Sequence, residues 1–185
     1  MLRSLPPFLA GAALLALAGC AQPPAPKPLA ATPALDGFIA FADPSVCQEA
    51  PDYRRFLDSL HRLDATGSKL LLGKPVIPPA YAASFGAPTI RRGSEGEQIV
   101  QVPVNGTWRG LRVKEIIRVA KAQTDWINEG VVFAAPKAAV LKAANDAGFA
   151  LPPSGERTLP EGLEMQIAVS ALRGDPPSAM LSCGT

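Results

Sequence analysis

The sequence is poor in the residue types that carry out covalent catalysis. Histidine occurs once in 185 residues, as His61, and cysteine occurs three times. The chain contains neither a GxSxG motif nor a serine followed three residues later by lysine, which excludes two common serine-nucleophile signatures. Ser59 lies two residues before His61 on a predicted helix, so the two side chains point apart and cannot act as nucleophile and base. We therefore assign no catalytic residue and interpret His61 as a solvated surface residue.

Motifs for metals and cofactors are also missing. With one histidine and no CxxC, the chain lacks the ligand spacing of a zinc site. It has no calcium loop, and the glycines around residues 93–97 lack the GxGxxG spacing of a dinucleotide site. We expect no metal and no cofactor. A hydrolase that uses two carboxylates is the alternative, provided that the fold brings two of them together across a cleft. The candidates are Glu95, Glu97, Glu115, Asp125 and Glu129.

The chain has little excess charge of either sign. It carries 18 lysines and arginines against 16 aspartates and glutamates. A protein that binds nucleic acid needs a basic face to neutralise phosphates. The near-neutral balance therefore argues against a nucleic-acid partner.

No apolar run reaches the roughly 20 residues that a membrane-spanning helix needs. The longest one, residues 8–18, is uncharged and follows a single basic residue, Arg3. A basic start, an apolar stretch of this length and small residues after it are typical of a secretory signal peptide. We predict a signal peptide over residues 1–19.

The four residues Leu17-Ala18-Gly19-Cys20 close this leader and resemble the lipobox of bacterial lipoproteins. The resemblance covers the leader alone. It implies cleavage before Cys20, a diacylglycerol on its thiol and a fatty acyl chain, such as palmitate, on the new amino terminus. Two or three acyl chains hold a protein on a bilayer far longer than one, since each buried CH2 contributes about 0.8 kcal/mol. The alternative is an ordinary signal peptide that happens to contain a cysteine.

Residues 20–35 are predicted to form a tether between the lipid and the folded domain. Five prolines occur within residues 21–35, so this segment favours an extended polyproline II conformation of up to about 45 Å. Ala21 stands where an aspartate typically signals inner-membrane retention in lipoproteins of enteric bacteria. The resemblance therefore implies an outer-membrane lipoprotein that faces the periplasm.

The two other cysteines, Cys47 and Cys183, are predicted to form a disulfide bond. An even pair in an oxidising compartment is most simply a disulfide. Closing the long loop between Cys47 and Cys183 would stabilise the fold by about 4 to 5 kcal/mol in the chain-entropy model. A pair of free thiols or two metal ligands are the alternatives.

We predict a single globular domain over residues 36–185. Apolar residues recur at helical spacing from Tyr53 to Leu63, and a second helix is predicted over residues 136–147, before Gly148. Asn105-Gly106 predicts the turn of a β-hairpin. Further strands are predicted at residues 126–133, with a turn inside 128–130, and at 163–172 and 178–184; residues 73–88 are predicted as an ordered connection and 154–162 as a loop. The fold class is α+β, a mainly antiparallel sheet with two helices packed on it.

Four residues are the candidates for a partner surface. Trp108 and Trp126 could supply aromatic contact area, and Arg109 and Arg112 could meet an anionic partner. The alternatives are that both tryptophans belong to the core and that both arginines are merely solvated. We expect a non-catalytic, membrane-anchored module that binds a periplasmic protein or a cell-wall component, or that assists envelope assembly. The other candidates are a small cell-wall- or lipid-modifying enzyme and a carrier of apolar ligands.

Overall fold

The computed structural model of the chain describes residues 32–159 and 165–185. The predicted signal peptide, Cys20 and nearly all of the predicted tether lie outside the described residues. Among the described residues, no helix is both long enough and apolar enough to cross a membrane.

The described residues form eleven strands and two α-helices. The strands are β1 (Phe41–Asp43), β2 (Gln48–Glu49), β3 (His61–Leu63), β4 (Leu70–Leu72), β5 (Thr89–Arg92), β6 (Gln98–Trp108), β7 (Leu111–Ala120), β8 (Ile127–Phe133), β9 (Glu156–Thr158), β10 (Gln166–Leu172) and β11 (Ser178–Gly184). The helices are α1 (Pro51–Ser59) and α2 (Lys137–Asp146), and short 3-10 turns lie at Pro44–Val46 and Pro79–Ser84.

Seven strands make one sheet in the order β5-β6-β7-β8-β11-β10-β9. Each neighbouring pair in it is antiparallel. Two short hairpins, β1-β2 and β3-β4, lie outside this sheet. The sheet-rich α+β class with a mainly antiparallel sheet is therefore confirmed.

The helices and one face of the sheet enclose a single core. Helix α1 buries Tyr53, Phe56 and Leu57, and α2 buries Val140, Ala143 and Ala144, all in one cluster with the inward residues of the central strands. Aromatic rings fill the space around Phe38, whose ring centroid lies 5.3 Å from those of Tyr81 and Phe85. Residues 73–88 are thus an ordered connection held by these two rings, as predicted.

The turn between β6 and β7 is not at Asn105-Gly106, so this prediction was wrong. Strand β6 runs straight through these residues and turns at Arg109-Gly110, where both residues have positive φ, 48° and 75°. The pairing of β6 with β7 shifts register between Pro103 and Gly106. Pro103, which cannot donate a hydrogen bond to the ladder, therefore lies at a β-bulge.

Gly106 serves a different purpose from a turn. The amino-terminal segment pairs with β6 here, because the Leu35 amide donates to the Thr107 carbonyl (2.7 Å) and the Thr107 amide donates to the Pro33 carbonyl (2.8 Å). A Cβ atom at position 106 would collide with the side chain of Leu35, which is fully buried. Glycine is needed for this close approach.

Three other boundaries differ from the predictions. Helix α1 ends at Ser59, and residues 61–63 form β3, which pairs with β4. Strand β8 is continuous, with no turn inside residues 128–130. Residues 156–158, predicted as loop, form the edge strand β9 because they pair with β10.

Helix α2 and the disulfide agree with the sequence analysis. Pro136 caps α2, and Gly148 follows it with a φ of +102°, the left-handed conformation that terminates helices. Cys47 and Cys183 are bonded, with their Cα atoms 6.1 Å apart. The bond joins the segment before α1 to β11, which lies inside the sheet between β8 and β10.

Candidate functional site

One transverse row of side chains crosses all seven strands on the helix-covered face. Directly opposed residues of antiparallel strands project to the same face. The row follows from the strand register and consists of Ile90, Val100, Arg118, Glu129, Cys183, Ile167 and Arg157. The polar members of this row lie under the segment 45–58, which contains β2 and α1.

Each polar member of the row holds this segment. The Arg118 guanidinium donates to the Leu57 carbonyl and, at 3.1 Å, to the Asp58 carboxylate. Cys183 carries the disulfide to Cys47, and Arg157 donates to the Ser45 carbonyl. A row of this kind fixes the segment at three points across the width of the sheet.

The fourth polar member, Glu129, lies in a cluster of five charged groups, one of which is Asp58. Its Oε1 is 3.1 Å from Nε of Arg118 and 3.5 Å from an Nη of Arg54, and the same Arg54 pairs with Glu49. Glu49 and Glu129 are buried, with 8 % and 7 % of their surfaces exposed. Two buried carboxylates and two guanidinium groups thus meet beneath α1, together with the exposed carboxylate of Asp58, which pairs with both arginines.

Burial raises the pKa of Glu129 from 4.5 to about 7. Arg118 and Arg54 oppose this shift because they favour the carboxylate, whereas Glu49 adds to it by its negative charge and by hydrogen bonding to the protonated form. The pKa of Tyr53 is raised by its burial and then by the charges of Glu129 and Glu49. A proton on Glu129 relieves the repulsion between the two carboxyl groups.

A cleft of about 170 Å³ opens beside the carboxyl pair. Its described lining residues are Glu49, Arg54, Asp125, Ile127, Glu129, Met165, Cys183, Gly184 and Thr185. A carboxyl group that titrates near neutral pH can donate or accept a proton at the pH of most reactions. The chemistry available here is therefore general acid–base chemistry.

The sequence suggested one member of this acidic pair, Glu129, and no partner for it. Of the five acidic candidates, Glu129 and Asp125 border this cleft, Glu95 and Glu97 lie in another groove, and Glu115 hydrogen-bonds to Gln101. Sequence reasoning missed Glu49 altogether. The only signal that pointed to it was the disulfide, because Cys183 is paired with Glu129 and its bond to Cys47 draws residue 49 alongside.

His61 is not the solvated surface residue that was predicted. It is half-buried on β3, opposite Leu72, and neither ring nitrogen makes a hydrogen bond of normal geometry to a described residue. Burial, and secondarily the positive charge of Arg118, lowers its pKa from 6.5 to about 4. A neutral imidazole without a hydrogen-bonded orienting partner lacks the arrangement of a catalytic triad.

A wider groove lies at one end of the sheet, between the β5-β6 and β7-β8 loops. We call it the loop groove; it has a volume of about 480 Å³, and its described lining residues are Glu95, Glu97, Lys121, Thr124 and Trp126. Trp126 is 40 % exposed, whereas most aromatic rings of the described chain contribute to the core. A second groove, of about 300 Å³, shares Lys121 and Thr124 and continues toward His61 and Leu63.

Both loops around the loop groove are fixed by their own hydrogen bonds. The Glu97 carboxylate accepts the amide of Glu95 (2.8 Å), and the hydroxyl of Thr124 donates to the Lys121 carbonyl (3.0 Å) and accepts the Trp126 amide (3.3 Å). Such bonds organise the groove before any ligand arrives.

The four residues predicted as a partner surface do not form one surface. Trp108 is buried, and its indole nitrogen donates to the Ile39 carbonyl at 2.8 Å, so it belongs to the core. Arg109 is half-exposed beside Asp36, and Arg112 is exposed on the adjoining strand. Trp126 lies at the opposite end of β7, about 30 Å away at the usual rise per strand residue.

Among residues 32–159 and 165–185, no three histidine, cysteine, aspartate or glutamate side chains converge to hold a metal ion. No family model, curated protein or solved structure matches the chain.

Proposed function

We propose that the chain is a lipoprotein of the bacterial outer membrane, anchored through lipid on Cys20 and facing the periplasm. Its signal peptide would be residues 1–19 and its tether residues 20–35, of which residues 33–35 already pair with β6, ahead of one globular domain over 36–185. We propose that the domain acts without catalysis, as a binding or envelope-assembly module for a periplasmic protein or a cell-wall component. The leader supports the anchor, and the geometry of the domain supports the binding role.

The observation that carries the binding role is the position of the loop groove relative to the tether. The chain joins the sheet at Ala34, which bridges Thr107 near the β6-β7 turn. The loop groove lies at the far ends of the same two strands, beyond the pair Gln98 and Ala120. The spacing along β6 is about 30 Å. A domain tethered at one end thus presents its exposed tryptophan at the other.

Replacing Cys20 by serine tests the anchor. The serine precursor has no thiol to accept the diacylglycerol, so we expect it to leave the membrane fraction in soluble form or to remain uncleaved. Fractionation and intact mass of the wild type and variant are the measurements. Unchanged membrane association together with an unchanged mass would contradict the anchor.

A photocrosslinking amino acid with an aromatic side chain, which keeps a ring at position 126 in place of the indole, tests the binding role in intact envelopes. We expect a discrete adduct from position 126 and none from the same crosslinker at position 112, which is also exposed but lies at the tether end. Mass spectrometry of the adduct identifies a protein or a wall fragment. If position 126 gives no adduct, or no more than position 112, the binding role is wrong.

The Glu49–Glu129 pair favours a second candidate function, a small wall- or lipid-modifying enzyme. We rank it second because Arg54 and Arg118 already pair with these carboxylates, which leaves little room for a substrate group. Glu129→Gln removes the titrating proton with little change in size. Loss of wall-fragment or fatty-acid release in this variant, but not in Glu95→Gln, would place the enzyme first; absence of release by the wild type removes it.

A further inference from the structure

The two acidic clusters of the domain differ in how their charge is balanced. Glu49 and Glu129 are buried against Arg54 and Arg118. The carboxylates of Glu95 and Glu97 lie in the loop groove, and neither forms an ion pair with a described residue. The charge that the fold leaves unmatched is therefore the one beside the exposed tryptophan.

We infer that the loop groove binds a basic segment of a periplasmic protein, with a lysine or arginine head group between Trp126 and the carboxylates of Glu95 and Glu97. This inference rests on the proposed binding role. A cation over an indole face within reach of two carboxylates gains both from the ring quadrupole and from Coulomb attraction. Among the described lining residues, two are acidic and one, Lys121, is basic, so the groove carries a net negative charge.

The groove fits an extended peptide better than a compact cation alone. Its volume of about 480 Å³ exceeds what one head group fills, and it shares Lys121 and Thr124 with a neighbouring groove. There, Leu63 is 55 % exposed and gives apolar contact area to a residue beside the basic one. A charged anchor flanked by apolar contact is a common pattern in peptide recognition.

The substitutions that test charge recognition leave the loops intact. Glutamine at position 97 keeps a carbonyl oxygen that can accept the Glu95 amide, so only the charge is lost. The probe is acetylated and amidated pentalysine, titrated by calorimetry into the full-length protein, with pentaglutamate as the opposite charge. The matched control is D52N/D146N, which removes two exposed carboxylates of the helices.

We expect pentalysine to bind about fivefold more weakly to E95Q/E97Q and to W126A than to the wild type. K121Q removes the one basic group among the described lining residues and is expected to strengthen binding about twofold. D52N/D146N should leave the dissociation constant unchanged. Pentaglutamate should not bind. The inference is overturned if E95Q/E97Q binds pentalysine as tightly as the wild type, or if pentaglutamate competes with it.

The crosslinking experiment separates this inference from the binding role. If the adduct at position 126 persists in E95Q/E97Q although pentalysine does not bind this variant, the domain has a partner but does not recognise it by its basic groups. If the adduct is absent in the wild type as well, the binding role itself fails.

Discussion

Glu129 and Glu49 share a buried site in which the ionisation of Glu129 is opposed by its burial and by the negative charge of Glu49. The pKa of Glu129 in the folded chain, about 7, lies above its ordinary value of 4.5 because its charge is buried. A carboxyl group whose folded pKa is raised stabilises the fold while it is protonated. This contribution is fully present below pH 4.5 and is lost as the pH rises through about 7.

Replacing Glu129 by glutamine should remove this loss. The amide is neutral at every pH. The unfolding free energy of E129Q minus that of the wild type should therefore increase between pH 4.5 and pH 8, by at most about 3 kcal/mol. Urea unfolding at several pH values measures the difference. Glu95→Gln, which removes an exposed carboxyl group outside this cluster, is measured in parallel as the control variant. A difference for E129Q that shrinks as the pH rises would contradict the assignment.

The pKa of His61 is shifted in the opposite direction, downward from its ordinary value. Its pKa falls to about 4 because the charged imidazolium is desolvated and faces Arg118. A base with a lowered folded pKa stabilises the fold while it is neutral. The contribution is present above pH 6.5 and is lost as the pH falls toward 4.

Because His61 is the single histidine of the chain, its ring protons give one resolvable titration. We expect an NMR midpoint near pH 4 in the folded protein and near 6.5 in urea, where the ring is solvated. Arg118→Gln, which removes the neighbouring positive charge, should raise the folded midpoint while leaving it below 6.5. A folded midpoint at or above 6.5 in the wild type would show that the ring is solvated.

The sequence predicted which residues of the chain pair with each other only where their chemistry allowed a single pairing. Cys47 and Cys183 could be paired because no other cysteine was left once Cys20 was assigned to the lipid. The pairing of Glu129 with Glu49 could not be predicted, since it depends on the register of β8 with β11 and on the path of a two-residue strand. His61 was misplaced for a related reason, the early end of α1, which moves it from a helix surface to a partly covered strand.

At the scale of elements, pairing between distant segments, and not the local turn signal, determines where the chain turns. Asn-Gly is the strongest short hairpin signal, yet residues 105 and 106 stay in β6 because the amino-terminal segment adds to that strand at Thr107. Arg109-Gly110 turns instead, with both residues in the left-handed region that type I′ turns require. Strands β3 and β9 were missed because three-residue strands carry too few positions to show a period.

Gly106→Ala tests whether glycine is needed where the amino-terminal segment at Leu35 lies against β6. The added methyl group meets the side chain of buried Leu35, so we expect a loss of about 1 to 3 kcal/mol in unfolding free energy, from crowding. The amides of Leu35 and Thr107 should exchange hydrogen faster, because the bridge between them loosens. Gly110→Ala is the control: open space surrounds it but its φ is +75°, so it should lose about 1 kcal/mol by strain. Unchanged exchange at both amides in G106A would contradict the role of Gly106.

At the scale of the whole molecule, the contacts that hold the amino-terminal segment lie across the sheet and not only at its edge. The disulfide ends on β11, and Arg118 and Glu129 lie on β7 and β8, so a pull on residue 32 would be carried into the central strands. In the proposed lipoprotein this is the end that the tether holds. The opposite end, with the loop groove, then has the greater reach from the bilayer.

Fluorescence energy transfer to an acceptor on the lipid head groups tests this orientation. In vesicles that hold the full lipidated protein, a donor on Arg109→Cys should transfer more efficiently than a donor on Thr124→Cys, since the two ends of β7 are separated by about 30 Å. Both sites are exposed and neither touches the Cys47–Cys183 bond. The tether moves the whole domain, which lowers both efficiencies but keeps their order. Equal efficiencies, or a higher one at position 124, would mean that the groove lies toward the membrane and is not presented to the periplasm.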